Sequence, residues 1–85
     1  MTSLNVQCFI RDGWKCRCCN FRGNLHAHHI KFRSQGGKDE LCNLVTLCAN
    51  CHRGLHDGKL LLEVLQHLVT DNVIKFTRKG NWKPE

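Results

Sequence analysis

Seven cysteines and six histidines within 85 residues are the side chains of this sequence best suited to chemistry. Four cysteines form two C-x2-C pairs, Cys16/Cys19 and Cys48/Cys51. In such a pair both sulfurs reach one ion from a single turn of chain, and two pairs complete the tetrahedral thiolate set that zinc prefers. The odd cysteine total fits a disulfide framework poorly, and C-x2-C pairs in a reducing compartment serve metal. Cys16, Cys19, Cys48 and Cys51 are therefore expected to hold a structural Zn2+. Of the remaining three, Cys18 has the less common C-x-C chelate spacing to Cys16. Cys42 lies in an apolar run and reads as a small buried hydrophobe.

The histidines form a second pattern. His52 and His56 stand four apart in the segment opened by the second cysteine pair, which puts both imidazoles on one face of a helix, one turn apart. That arrangement chelates a metal, although such pairs also decorate solvated helices. His28 and His29 are adjacent in a strand-like run, so their side chains point to opposite faces and both can hardly ligate one ion. A division of labour follows, in which one binds metal and the other is free to take a proton from water. Two isolated histidines on a strand would more often be partly exposed decoration. His26 would share the face of His28, but such a residue is more often a half-buried strand polar group. His67 lies outside the pattern.

Taken together, His28-His29, Asn43, His52 and His56, interleaved with the two C-x2-C pairs, resemble the HNH (ββα-metal, or His-Me finger) endonuclease family in its zinc-binding subgroup. The resemblance runs from about residue 11 to 59. It includes an H-H-I run, a Gly-Gly loop, N-L-V-x-L-C, and C-H with a further His four residues on. It implies His28, His52 and His56 as ligands of one divalent catalytic metal, His29 as general base, and Asn43 as the residue that holds the loop and orients the base. The ion could be Mg2+, Mn2+, Ni2+ or Zn2+, and histidine ligands tilt towards the transition metals. The implied activity is phosphodiester hydrolysis of DNA, double-stranded by expectation, by nicking or double-strand cleavage. Arg33, in the loop after the base, and Arg53, beside His52, are possible phosphate contacts as well as ordinary solvated charges.

The elements that must position these residues are short. Val6 to Ile10 suits a strand or a helical turn, and Asp12-Gly13 a turn leading to the first cysteine pair. Leu25 to Phe32 reads as a strand, residues 34–39 as a flexible loop, and Leu41 to Leu47 as an apolar β-branched run. Ala49 to Asp57 suits a helix, with Gly58 placed to end it. Leu60 to Val69 could line a helix or a buried strand, but Asp71-Asn72 and the alternation of Val73 to Thr77 favour a closing hairpin. The expectation is a small α+β fold, with a ββα-metal core, a four-cysteine zinc site and a C-terminal β-hairpin. A chain this short makes one domain, residues 1–85, with a motif core at 11–59 and an extension at 60–85. It also needs a staple beyond its own core.

Thirteen Lys and Arg against seven Asp and Glu give a formal charge of +6. The balance stays positive after a tetrathiolate zinc centre is counted, favouring an anionic polymer as partner. No stretch approaches a membrane span and no secretory signal is visible, so a cytoplasmic setting, prokaryotic or phage, is expected. The rival reading is a zinc-stapled nucleic-acid-binding module without cleavage activity. His29 and Asn43 separate the two, because binding needs neither a base nor a residue to orient one. The sequence leaves oligomeric state open.

Overall fold

The computed structural model describes residues 2–83. In chain order it contains helix α1 (Leu4–Arg11), strand β1 (Leu25–His29), two short 3-10 turns (Arg33–Gln35 and Leu41–Asn43), strand β2 (Leu44–Cys48), helix α2 (Ala49–His56) and strands β3 (Leu60–His67) and β4 (Asn72–Arg78). β1 pairs with β2 and β3 with β4, both antiparallel, as two separate two-stranded sheets. The result is a small α+β arrangement of two helices and two small sheets. No described helix is long and apolar enough to cross a membrane.

Residues 6–10, whose pattern suits a strand as well as a helical turn, belong to helix α1, and both ends of that helix are capped. The Ser3 hydroxyl accepts from the Val6 amide, and Trp14 N–H donates back to Phe9 C=O at 2.8 Å. That second bond closes a Schellman-type end in which Trp14 also packs on Phe9, ring centroids 5.5 Å apart. α2 ends the same way. Gly58 adopts φ +73°, and Lys59 N–H donates to Gly54 C=O at 2.8 Å, so the glycine sits where a left-handed residue is needed.

All five residues of β2 are buried, because both faces are covered. Val45 and Leu47 join Cys16, Cys48, Cys51 and Leu60 in the core, with Phe76 and Trp82 packed against it. On the other face Thr46 meets α1, where its hydroxyl lies 3.4 Å from the Cys8 sulfur. The strand is shorter at its start than the apolar pattern implies, since residues 41–43 curl into a 3-10 turn. β1 likewise stops at His29 rather than Phe32. From there Ile30 N–H turns to Asn43 C=O at 2.8 Å and the chain leaves the sheet.

A polar network ties α1 to the rest. Asp12 accepts from Arg11 at 2.9 Å and from the Thr46 amide at 3.0 Å. Arg11 also donates to the carbonyls of Leu41 and Leu44, at 2.6 and 2.7 Å. Arg17 grips Asn72 through its side-chain and backbone oxygens, at 2.8 and 2.9 Å. Burial by itself would raise the Asp12 carboxyl, but bonds from Arg11 and the Thr46 amide, with the charges of Arg11 and Arg17, hold it below the usual carboxylate value.

This packing can be probed at two points. Trp82 lies on the back of α2, where a Cβ at Gly54 would collide with its indole. Gly54→Ala should lower stability by about 1–3 kcal/mol, and Trp82→Ala in the same chain should make Gly54→Ala nearly neutral, as thermal melts would show. Asp12→Asn should cost about 2–3 kcal/mol at neutral pH. A carboxyl depressed on folding contributes stability above its unfolded pKa and loses it as pH falls through the folded one. The stability gap between wild type and Asp12→Asn should therefore be constant near neutrality and shrink below about pH 4, in denaturant titrations across pH.

Candidate metal centre and imidazole cleft

The sulfurs of Cys16, Cys19, Cys48 and Cys51 lie within 4.8 Å of one another. Cys16 and Cys19 come from the loop after α1, while Cys48 ends β2 and Cys51 sits in the first turn of α2. One cluster thus fastens that loop to the strand–helix junction. The Cys19 and Cys48 sulfurs are 3.6 Å apart, close to the edge of about 3.8 Å that four sulfurs at the usual Zn–S distance would have. Backbone amides point at the sulfurs, Cys18 N–H at Cys16 Sγ (3.4 Å) and Cys51 N–H at Cys48 Sγ (3.5 Å).

Burial would push the Cys16 thiol up, but hydrogen bonds from the Cys19, Cys48 and Cys18 backbones more than offset it and bring it down. Burial pushes Cys19 up to about 11, and burial with the nearby Cys16 and Cys18 sulfurs pushes Cys51 up as well. Four thiolates packed this closely cannot coexist without a cation, and a coordinated ion deprotonates thiols outright. The donor set therefore fits a metal ion. Cys18 packs beside the cluster without belonging to the four that converge.

The imidazoles gather on the other side of α2 from Trp82. His28 of β1 and His52 of α2 meet edge to face, with ring centroids 5.1 Å apart. His26, which shares the strand face of His28, stacks on His52 at 5.4 Å. A cavity of about 300 Å³ opens here, lined by His28, His52 and His56 with Ile30, Phe32 and Leu61 among its apolar walls. Burial, with His52 and His29 adding to it, pushes His28 down to about 4. Burial, with His26 and His56, also lowers His52. The rings of His28 and His52 are thus neutral near pH 7 with lone pairs available, which is the ligating form. The imidazole nitrogens do not converge as the sulfurs do: among the described residues, no group of three or more histidine or carboxylate donors is gathered within 4.8 Å.

His29, the next residue along the strand from His28, is not among the residues lining this cleft. Its Nε2 lies 2.7 Å from Asp39 Oδ1, and Arg33 Nε donates to the same oxygen at 2.9 Å. Arg33 is thus engaged with Asp39, while Arg53 is highly exposed and lies 3.7 Å from Asp57. Asn43 is buried. Its Oδ1 accepts from Lys31 N–H at 2.9 Å, and its Nδ2 donates to the carbonyls of Lys31 and Lys38 at 3.0 and 2.9 Å. The loop that reads as flexible by composition is therefore closed at both ends by one side chain. It packs so tightly that a Cβ at Gly37 would overlap the Lys31 carbonyl. Sequence reasoning misses Asp39, because no periodicity marks a loop acid and the adjacent Glu40 offers the same chemistry.

A family model described as HNH endonuclease matches residues 16–58, just over half of the chain. The chain is similar to anaredoxin of Nostoc sp. (strain PCC 7120), 30% identical over 54 residues that cover 62% of this chain and 71% of that protein. It is also similar to the type IV methyl-directed restriction enzyme EcoKMcrA of Escherichia coli K12, 46% identical over 44 residues. Those residues cover 52% of this chain but only 16% of that enzyme. No solved structure matches the chain.

Metal removal tests the cysteine cluster. Cys48→Ser, or exhaustive chelation of the wild type, should release the bound ion and unfold the protein, because structural zinc contributes about 10–16 kcal/mol in finger peptides. Elemental analysis and circular dichroism would read both effects, and a well-folded, metal-free Cys48→Ser protein would contradict them.

Proposed function

The chain belongs to the HNH endonuclease family, and we propose that it is an active metal-dependent nuclease that hydrolyses phosphodiester bonds in double-stranded DNA. The observation that carries this reading is the cleft itself. Two elements bring the imidazoles of His28, His52 and His56 to one cavity, and His29 stands at the adjoining strand position with a carboxylate partner. The likeness to a restriction enzyme supports DNA as the substrate class.

In this reading residues 1–85 are one nuclease domain, with β1, β2 and α2 as the family's ββα core within a motif at 11–59. Residues 60–85 are an extension that closes the core with a hairpin. Cys16, Cys19, Cys48 and Cys51 hold a structural Zn2+, which a reducing, cytoplasmic setting preserves. His28, His52 and His56 bind the catalytic divalent ion through their ring nitrogens. A divalent ion held there would supply Lewis-acid stabilisation of the charge that develops on the phosphate. His29 takes the proton of the attacking water, leaving a 5′-phosphate and a 3′-hydroxyl. Asn43 keeps loop 31–38 in the shape that aims the base. Arg53, exposed beside His52, is the freer of the two candidate phosphate contacts; Arg33 must leave Asp39 or share it.

A second reading is a zinc-stapled module that grips nucleic acid without cutting it. It is favoured by one observation, that only the sulfurs converge to ligand distance while the imidazole nitrogens do not. Supercoiled plasmid incubated with the purified protein and Mg2+, Mn2+ or Ni2+ decides between them. Metal-dependent nicking should appear with the wild type and fall at least about 100-fold in His29→Ala, the usual scale of a general base. A gel shift without nicking under every metal would establish the binding module instead.

A further inference from the structure

The loop between β1 and β2 contains a chain of contacts that the assignment of His29 leaves unused. We propose that Asp39 is a positioning residue for His29, fixing the imidazole with its proton on Nε2 so that Nδ1 is the atom that accepts the proton of water. The proposal rests on the reading of His29 as the base and deepens it.

An ionised carboxylate accepts hydrogen bonds and donates none. Asp39 is ionised near neutrality, since its hydrogen bonds to His29 and Arg33 hold its carboxyl below the usual value. With Nε2 at 2.7 Å from Asp39 Oδ1, a neutral His29 must carry its proton on Nε2, and its lone pair is then on Nδ1. When Nδ1 takes a proton from water, both ring nitrogens become donors and the Nε2–H···O bond persists through the transfer. No proton passes to Asp39, and no rearrangement of the ring is needed at the moment of reaction.

Asp39 is itself held on both sides. Arg33 Nε donates to the oxygen that His29 uses, at 2.9 Å. The preceding residue, Lys38, is tied through its carbonyl to Asn43 Nδ2 at 2.9 Å. Asn43 also accepts Ile30 N–H on its backbone carbonyl, one residue after His29. Asn43 therefore reaches the base without touching it: it fixes the backbone on both sides of the histidine–aspartate pair, and Asp39 makes the contact. Arg33 and Asp39 are both largely exposed, and surface pairs of this kind contribute little to stability. Conformational fixing of His29 is the role their geometry serves.

The test uses the folded, zinc-loaded protein labelled with 15N, and long-range 1H–15N correlation of the imidazoles at pH 8. His29 should show the Nε2–H tautomer in the wild type and a mixture of tautomers in Asp39→Ala. In plasmid cleavage Asp39→Ala should lower kcat at least about tenfold with KM, zinc content and melting temperature unchanged. Asp39→Asn, whose side-chain oxygen can accept the same bond, should recover most of that loss. An Nδ1–H tautomer in the wild type, or full kcat in Asp39→Ala, would overturn the proposal. If the wild type does not cleave at all, the nuclease reading fails by itself; the tautomer then still decides whether Asp39 fixes His29.

Discussion

The convergence of four cysteine sulfurs is the constraint from which the other placements follow. Cys48 and Cys51 flank the point where β2 becomes α2, so gathering them with Cys16 and Cys19 fixes the angle at which the helix leaves the strand. That angle decides which helix face meets β1, and the face that does so carries His52 and His56. The cluster is also part of the core: Cys16, Cys48 and Cys51 are fully buried beside Val45, Leu47 and Leu60. A chain of this length buries too little apolar surface to hold such a junction by packing alone. Trp82 braces α2 from behind, and its indole occupies the space that a side chain at Gly54 would need.

A second constraint shapes the charge available for function. β2 is covered on both faces, and its α1 side is closed by ionic hydrogen bonds together with the buried Cys8. Arg11 and Arg17 are committed to this closure, Arg11 across the start of β2 and Arg17 onto the turn that opens β4. They contribute to the formal charge but not to a surface that could face phosphates. Arg53 is highly exposed beside His52, and Arg33 is exposed but paired with Asp39.

Much of this is legible in the sequence because metal-ligand spacing is local. Two C-x2-C pairs name the cluster, the i,i+4 histidines name a helix face, and Gly58 marks where that helix ends. The elements that are not legible are those fixed by distant partners. Helix α1 is a short apolar run whose identity depends on Ser3 capping one end and Trp14 folding back on Phe9 at the other. The start of β2 and the end of β1 are trimmed by Asn43, whose hydrogen bonds pull residues 30 and 31 out of the sheet. A Gly-Gly loop rich in polar residues reads as flexible by composition. Here the side chain that stills it, Asn43, lies at the far end of the loop, and the family resemblance rather than the loop's composition points to it.

The difference between the cysteine cluster and the imidazole cleft has a physical logic of its own. Sulfurs in a buried cluster depend on a cation to relieve crowding of negative charge, so such a site is suited to hold its ion permanently. Imidazoles in an open cavity carry no such repulsion when neutral. Their depressed pKa values keep His28 and His52 ready to ligate near pH 7 without requiring that an ion be present. Under the proposed nuclease reading that tolerance would be useful, because a catalytic ion must accommodate the arrival and departure of a charged substrate. Both groups are mounted on α2, Cys51 on the face turned to the core and His52 on the face turned to the cleft, adjacent in sequence. A permanent site can thus hold the helix still while the site one residue away stays accessible.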